Sequence, residues 1–251
     1  MWHDVVDLRD FYETRLGAVT RRVVRREIRA LWPNVAGQRI LGLGYATPYL
    51  RQFLSEAERV LAFMPSSKGV VHWPAEGRGR GLTALVDEAE LPLPDFSVDR
   101  VLLVHGLESS EAQRDMLREV WRVLTGDGRL LVIAPNRGGI WARLERTPFG
   151  WGEPYSTGQL SRLLRDNMFT PTRSSRALYI PPMRSHAFQR SAPAWERIGS
   201  RWFPTFGGVV AVEAGKQLYA ANLQAERKRF RRPIVVPFPR PARPAPSGRI
   251  G

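Results

Sequence analysis

Proton transfer at neutral pH is the chemistry for which this sequence offers the clearest candidate, a histidine at the end of an apolar run. His105 lies near the end of residues 98–107, a nearly continuous apolar segment that predicts a buried strand. Ligands of open α/β sheets bind beyond the carboxyl ends of the strands, so His105 is expected to face the ligand crevice. Its neutral imidazole can accept a proton from a hydroxyl or an amine. His105 is therefore a candidate catalytic base, although a packing or ligand-contact role is the interpretation that its type and position favour.

Metal and thiol chemistry have no support in the sequence. The chain contains no cysteine, which excludes disulfides, thiolate zinc sites and cysteine nucleophiles. The other histidines, His3, His72 and His186, have no partners at the spacing of metal ligands. No metal site is therefore predicted.

A glycine turn in the segment ILGLGYATPYL, residues 40–50, is a second candidate for ligand contact. Gly42 and Gly44 join an apolar strand to a helix, and this layout lets bare backbone and a helix N-terminus approach an anionic or polar ligand. Thr47 followed by Pro48 is a favourable helix start, because proline at the first helical position loses no intrahelical hydrogen bond. A tight turn without a ligand is the structural alternative.

Strand and helix patterns alternate through most of the chain. Strands are predicted at 39–43, 59–63, 82–86, 98–107 and 129–134, then at 176–180, 208–213 and 217–220. Helices are predicted at 10–32, 48–55, 110–124 and 156–167. This alternation indicates a mainly parallel sheet that is covered on both faces.

The charge balance is strongly basic, with 38 Lys and Arg against 24 Asp and Glu, a formal net charge of +14. Arginines occupy one face of the 10–32 helix, and residues 226–251 form a basic, Pro-rich tail that is expected to be disordered or extended. A nucleic-acid partner for the basic surface and a protein partner for the tail are the functional hypotheses. A solvated charged face is the plain alternative.

The apolar segments are short throughout the sequence. No stretch of 18 or more apolar residues occurs, and the acidic start of the chain is unlike a signal peptide. We therefore expect a cytoplasmic chain without a membrane span.

Two further stretches follow the glycine turn in order, VDEAELPLPDFSVDRVLLVHGLE at 86–108 and LREVWRVLTGDGRLLVIAPN at 117–136. With the turn, they make the chain resemble the class I S-adenosylmethionine-dependent methyltransferases, over 35–220 in layout and 84–136 in detail. The resemblance implies a Rossmann-like α/β three-layer sandwich with a seven-stranded, mainly parallel sheet and an antiparallel C-terminal hairpin. It divides the chain into an N-terminal helix packed on the domain (1–34), a methyltransferase-like domain (35–225) and the tail (226–251).

The family's roles can be transferred to single positions, and two of them lack the expected residue. The acid that precedes the first glycine falls on Gly42, and the acid that holds the ribose hydroxyls falls on Met64. Loss of that carboxylate corresponds to about one to two orders of magnitude in affinity, at about 1.5–3 kcal/mol for a hydrogen bond to a charged group. The residues that the resemblance assigns to the cofactor are Gly42, Gly44, Tyr45, Ala46, Met64, Pro65, Asp87, Glu88, Val104 and His105.

The resemblance implies methyl transfer from S-adenosylmethionine, mainly by positioning, to an acceptor that the sequence does not identify. The alternative is a catalytically inactive methyltransferase-like binding or regulatory protein, which Gly42 and Met64 favour. Four aromatic residues after the fifth strand either wall the acceptor crevice or cover the end of the sheet: Trp141, Phe149, Trp151 and Tyr155.

Overall fold

A computed structural model of the protein describes residues 4–74, 81–183 and 190–217. Its strands are β1 (Arg39–Gly44), β2 (Arg59–Pro65), β3 (Thr83–Val86), β4 (Val98–Val104), β5 (Leu124–Pro135), β6 (Phe169–Ala177) and β7 (Val209–Lys216). Its α-helices are α1 (Val5–Glu13), α2 (Arg15–Leu31), α3 (Thr47–Leu50), α4 (Gln113–Val123), α5 (Thr157–Asp166) and α6 (Ala192–Trp202). Within these ranges, no helix is both long and apolar enough to cross a membrane.

The seven strands form one sheet in the order β3-β2-β1-β4-β5-β7-β6. Strands β1 to β5 are parallel to one another, whereas β7 is antiparallel to both β5 and β6. The predicted seven-stranded, mainly parallel α/β sheet is thus confirmed. Strands β2 and β3 extend the sheet on one side of β1, and β4 begins the other half on the opposite side of β1. The strand order thus reverses between β1 and β4, and ligands of such folds bind in the crevice beyond the carboxyl ends of these two strands.

Alternating side chains of the central strands supply an apolar core on each face of the sheet. On β4, Leu102 and Val104 face the cluster that contains α1 and α2, whereas Val101 and Leu103 face the cluster that contains α4 and α5. All four side chains are fully buried. The near-continuous apolar run of β4 is therefore explained by burial on both faces.

The N-terminal segment differs from its prediction as one helix over 10–32, because two helices meet at Thr14. The Thr14 backbone is extended, and its hydroxyl accepts a hydrogen bond from Gly17 N at 3.0 Å, so it caps α2. A Cβ at Gly17 would lie 2.0 Å from Phe11 O, so glycine is needed for the close approach of the two helices. The break lets α1 fold back across the domain and bury Leu8 and Tyr12.

The bounds of several strands also differ from the sequence predictions, and β5 (Leu124–Pro135) begins five residues before the predicted 129–134. Strand β4 stops at Val104 because His105 adopts a positive φ of 51°. Strand β6 is Phe169–Ala177 instead of 176–180; it lies at the edge of the sheet, where a polar pattern is tolerated. The strand predicted at 208–213 is confirmed as β7, which extends to Lys216, whereas most of the segment predicted at 217–220 lies outside the described residues. The predicted tail lies outside the described residues, and the division at residue 35 stays a prediction.

A buried carboxylate ties α2 to the β7 side of the sheet. Glu213 on β7 is 3% exposed, and it accepts hydrogen bonds from Trp32 Nε1 at 3.1 Å and from Arg173 Nε at 2.8 Å. Arg100 Nη1 lies 3.7 Å from the same carboxylate. Burial alone would raise the pKa of Glu213, but the hydrogen bonds and charge of its partners, Arg173 first, lower it overall.

Candidate active site

The glycine turn lies where β1 and β4 end side by side. Tyr45 N donates a hydrogen bond to Val104 O at 2.8 Å, and Gly44 has a positive φ of 81°. A Cβ at Gly44 would lie 2.3 Å from Val104 O. A Cβ at Gly42 would lie 2.5 Å from Leu50 Cδ1, so the Leu50 side chain occupies the room that an acid would need there. Contact between the strand ends and helix α3 therefore explains both glycines.

Replacing Gly44 by alanine is expected to lower the free energy of unfolding by more than about 1–2 kcal/mol. A left-handed φ costs an L-residue about 1–2 kcal/mol, and the clash with Val104 O adds to it. Chemical denaturation of both proteins measures the difference. Gly158→Ala is the matched control, because a Cβ at Gly158 would lie 4.0 Å from Ser156 Oγ, an ordinary contact distance. Equal losses for the two variants would contradict this explanation.

His105 stands at the centre of a buried hydrogen-bond chain. It is 3% exposed, and its Nδ1 lies 3.1 Å from Glu108 Oε1. Its Nε2 lies 2.8 Å from the Tyr12 hydroxyl, which lies 2.6 Å from the Tyr49 hydroxyl. These hydrogen bonds thus join α1, α3 and the turn after β4. They do not by themselves decide between catalysis, packing and ligand contact as the role of His105.

The partners of His105 determine which ring nitrogen carries the proton. A carboxylate oxygen of Glu108 only accepts, so Nδ1 carries the hydrogen and Nε2 accepts from Tyr12. Burial raises the pKa of both Tyr12 and Tyr49, so these phenols stay protonated and can donate along the chain. Nε2 is therefore the basic atom of the imidazole.

Glu108 adds an unusual feature to this chain. It is 5% exposed, and among the described residues its second oxygen, Oε2, has no hydrogen-bond partner. A buried acceptor without a partner costs free energy, so its retention points to a ligand or to a proton-handling role. Oε1, as described above, orients the His105 ring.

Lys68 closes the site from the side of β2. Its Nζ donates to the backbone oxygen of His105, and its own backbone oxygen accepts from Val5 N at 2.9 Å. Burial lowers the pKa of Lys68, and the charges of Glu108 and Glu88 partly oppose that shift. Lys68 therefore connects the start of α1 to the turn that carries His105.

Helix α1 covers the space above β1 in this conformation. The ring of Tyr12 stacks on that of Tyr45, with centroids 5.8 Å apart and planes at 25°. Tyr45 is 5% exposed and Met64 is 1% exposed, and both belong to the apolar cluster beneath α1. Access to the end of β1 therefore requires displacement of α1.

Two adjoining clefts remain open beside this covered region, and Lys68 lines both. The larger, of about 850 Å³, is lined by Lys68, His105, Glu108 and Trp151, together with residues 109–115. The smaller, of about 450 Å³, is bordered by polar side chains: Ser66, Ser67, Lys68, Asp87, Glu88, Ser109 and Glu111. The larger cleft has the volume of ordinary small-molecule sites.

The predicted site residues fall into three groups. Gly44, Tyr45, Val104 and His105 come together at the ends of β1 and β4, whereas Gly42 and Ala46 are buried against Leu50. Met64 and Pro65 end β2, and Asp87 and Glu88 follow β3 beside them. Their contacts with a cofactor stay predictions.

Sequence reasoning missed four members of the site: Tyr12, Tyr49, Lys68 and Glu108. Glu108 left a signal, because an acid three residues after a strand-end histidine can return to its ring. Tyr12 left none, since only the helix break at Thr14 brings it to His105, 93 positions away.

The aromatic residues after β5 divide between the two roles considered for them. Phe149 packs on His105 with ring centroids 4.8 Å apart, and Trp141 Nε1 donates to Ile180 O at 2.8 Å. Both are buried and cover the end of the sheet. Trp151 lines the larger cleft, so it alone of these three walls open space.

The basic face of α2 borders a separate groove of about 410 Å³. Among the described residues, no carboxylate lies within 4.0 Å of the Arg21, Arg22 or Arg25 guanidinium groups. Burial, followed by the charges of Arg21 and other neighbours, lowers the pKa of Arg25. These unpaired cations agree with an anionic partner, and the nucleic-acid partner stays a prediction.

Comparison with known proteins gives a consistent result. A family model described as a methyltransferase domain matches residues 41–132. The chain is 26% identical over 206 residues to the ubiquinone/menaquinone biosynthesis C-methyltransferase of Rubrivivax gelatinosus, covering 79% of this chain and 77% of that protein. It is 33% identical over 145 residues to the demethylmenaquinone methyltransferase of Thermus thermophilus, covering 55% and 66% respectively.

A solved structure shares the fold across most of the chain. The S-adenosylmethionine-dependent methyltransferase of Thermotoga maritima superposes with a TM-score of 0.59 at 19% identity, covering 86% of this chain and all (100%) of that one. The fold, the domain match and the two relatives agree with each other and with the resemblance stated above. The chain has the fold of the class I S-adenosylmethionine-dependent methyltransferases, and its residues 41–132 match the methyltransferase domain model.

Proposed function

We propose that the protein methylates a ring carbon of a quinol-type acceptor and that His105 is its general base. The observation that carries the proposal is the His105–Glu108 pair on the wall of the larger cleft. The acceptor class is supported by the two relatives at 26% and 33% identity, whose names state quinone methylation. The match to the methyltransferase domain model supports S-adenosylmethionine as the methyl donor.

The polar lining of the smaller cleft fits the adenosine end of that cofactor. Asp87 and Glu88 offer carboxylate oxygens to an amino group, and Ser66 and Ser67 offer hydroxyls to a ribose. Met64 offers the ribose no charged acceptor, so the expected weakening of the site stays part of the proposal. The unpartnered Glu108 Oε2 suits the cationic end of the cofactor.

When bound, S-adenosylmethionine supplies an electrophilic methyl group and leaves as S-adenosylhomocysteine. The contribution of the protein is to make the acceptor nucleophilic. His105 Nε2 accepts the proton of a ring hydroxyl, and Glu108 stabilises the resulting imidazolium through Nδ1. The negative charge of the deprotonated ring reaches the adjacent carbon, which forms the new bond to the methyl group. That carbon then loses its own proton and the hydroxyl is restored, so the net reaction releases one proton.

His105 can act only after Tyr12 has released Nε2, because Tyr12 occupies that atom in this conformation. Displacement of α1 would free Nε2 and uncover Gly44 in the same motion. Closure over bound ligands would exclude water from the reaction. Helix α1 is therefore proposed as the moving cover of the site.

The test is methyl transfer to reduced 1,4-naphthoquinone rings, followed by mass spectrometry of the product. We expect a mass increase of one methyl group for a ring with an unsubstituted carbon beside a hydroxyl. The 2,3-dimethyl ring is the control, because it keeps both hydroxyls and lacks the reacting ring hydrogen. Transfer to its oxygen, or no transfer to either ring although calorimetry shows the cofactor to bind, would refute the proposed acceptor. Absence of cofactor binding would instead favour the inactive, regulatory alternative.

A further inference from the structure

Exposed aromatic side chains lie at the C-terminal end of helix α6 and directly after it. Trp202, Phe203 and Phe206 are 71%, 56% and 52% exposed, and Ile198, four residues before Trp202, is 50% exposed. We call Ile198, Trp202, Phe203 and Phe206 the aromatic ridge. Large apolar side chains that cluster in water mark interaction surfaces, whereas scattered ones do not.

The ridge is held outward by the packing of α6. A Cβ at Gly199 would lie 2.4 Å from the Tyr179 side chain, so the helix presses its small-residue face onto the domain. Glu196 also points inward, where its carboxylate accepts hydrogen bonds from the backbone amides of Leu178 at 3.0 Å and Tyr179 at 2.7 Å. With this face fixed, the side chains on the opposite face of the helix cannot turn toward the core.

The rim of the ridge is cationic. Arg197 and Arg201 are exposed and lie four residues apart on α6, beside Ile198 and Trp202. Glu196 is the only acid between residues 192 and 208, and its carboxylate is engaged in the interior. Within residues 192–208, the surface therefore presents aromatic rings and arginines and no exposed acid.

We propose that the aromatic ridge docks the protein onto an anionic lipid bilayer. Tryptophan and phenylalanine insert at the level of the lipid headgroups, and flanking arginines gain from the negative surface potential. Each of the three aromatic rings is more than half exposed and can therefore insert into the interfacial region of the bilayer. The net charge of +14 acts in the same direction.

The position of the ridge gives this docking a consequence for the site. Asn136, directly after β5, donates through Nδ2 to Thr205 O at 2.9 Å and to Gly207 O at 2.6 Å. The ridge is thereby fixed near the carboxyl ends of β4 and β5, where His105 directly follows β4. A docked protein would hold its ligand crevice near the bilayer surface. The inference goes beyond the proposed function, since docking needs neither cofactor nor acceptor.

The test is co-sedimentation of the full chain with vesicles of phosphatidylcholine alone or mixed equally with phosphatidylglycerol. We expect the wild type to bind the anionic vesicles and the variant Trp202→Ser/Phe203→Ser/Phe206→Ser to bind at least about tenfold more weakly. Leu54→Ser/Leu85→Ser is the control, because these exposed side chains lie away from the ridge and should leave binding unchanged. Equal binding by the wild type and the triple variant would overturn the proposal.

Two further measurements separate this proposal from its rivals. Arg197→Glu/Arg201→Glu keeps the rings, so it should remove the preference for anionic over neutral vesicles. The fluorescence that Trp202 contributes, taken as the difference between the wild type and Trp202→Phe, should shift to shorter wavelength on docking. If sedimentation velocity shows that the wild type self-associates through the ridge and vesicles bind neither protein, the ridge is an interface between copies and the bilayer proposal fails.

Discussion

Replacing His105 by alanine is expected to lower kcat for methyl transfer by about 10²–10⁴-fold, the range associated with loss of a general base. The physical reason is that the acceptor hydroxyl would lose the imidazole of His105, the one histidine among the described residues that line the larger cleft. Steady-state kinetics with a saturating methyl donor measures the loss. Calorimetry should show that the cofactor still binds.

Two variants make this expectation specific. Glu108→Gln keeps the shape of the side chain and removes its charge, so a positioning role predicts a smaller fall in kcat with little change in the KM for the acceptor. His72→Ala is the control, because His72 contacts neither His105 nor Glu108 in the structure and should leave kcat unchanged. Full activity of His105→Ala would assign His105 to packing, the alternative that its contact with Phe149 supports.

Glu213→Ala is expected to lower the free energy of unfolding by about 1–3 kcal/mol, the cost of leaving a buried hydrogen-bond donor without its acceptor. The variant leaves Trp32 Nε1 without its acceptor and removes the carboxylate that faces Arg173 and Arg100. Urea denaturation at pH 7 measures the change. Glu58→Ala is the matched control, because Glu58 is exposed and its loss should stay within about 0.5 kcal/mol; similar values for both variants would show that Glu213 contributes little.

The same carboxylate gives the stability of the protein an acid dependence. The folded-state pKa of Glu213 is lowered, so its contribution is fully present above its unfolded pKa of about 4.3 and is lost as the pH falls through the folded value. The difference in unfolding free energy between the wild type and Glu213→Ala should therefore be constant near neutrality and shrink in acid below about pH 4. A difference that grows in acid would contradict the lowered pKa.

Periodicity predicted the sheet well where burial is two-sided, and poorly at its edge. The run that became β4 is apolar because both faces are covered, and that signal does not depend on distant residues. Strand β6 pairs only with β7 and carries polar side chains such as Thr170 and Arg173, so its alternation is weak. Its predicted position was displaced toward the apolar residues 176–180.

The site was predictable only in part, for a related reason. Strand-end residues such as Gly44 and His105 are located by the sheet itself, and the sheet follows from the sequence. Tyr12 reaches His105 because Thr14 ends one helix and starts another, and a Thr within an amphipathic pattern is compatible with a continuous helix. The burial of Met64 and Tyr45 beneath α1 depends on that same break.

The hydrogen bond between Tyr12 and His105 makes the availability of the His105 ring depend on the position of helix α1. While the helix lies in this position, Nε2 of His105, the proposed base, is hydrogen-bonded to the Tyr12 hydroxyl and cannot accept a proton from an acceptor. Displacement of helix α1 would then precede methyl transfer to every acceptor. If that step limits the rate, kcat would be the same for strongly and weakly nucleophilic acceptors. Tyr12→Phe would remove this hydrogen bond, and kcat would then depend on the nucleophilicity of each acceptor.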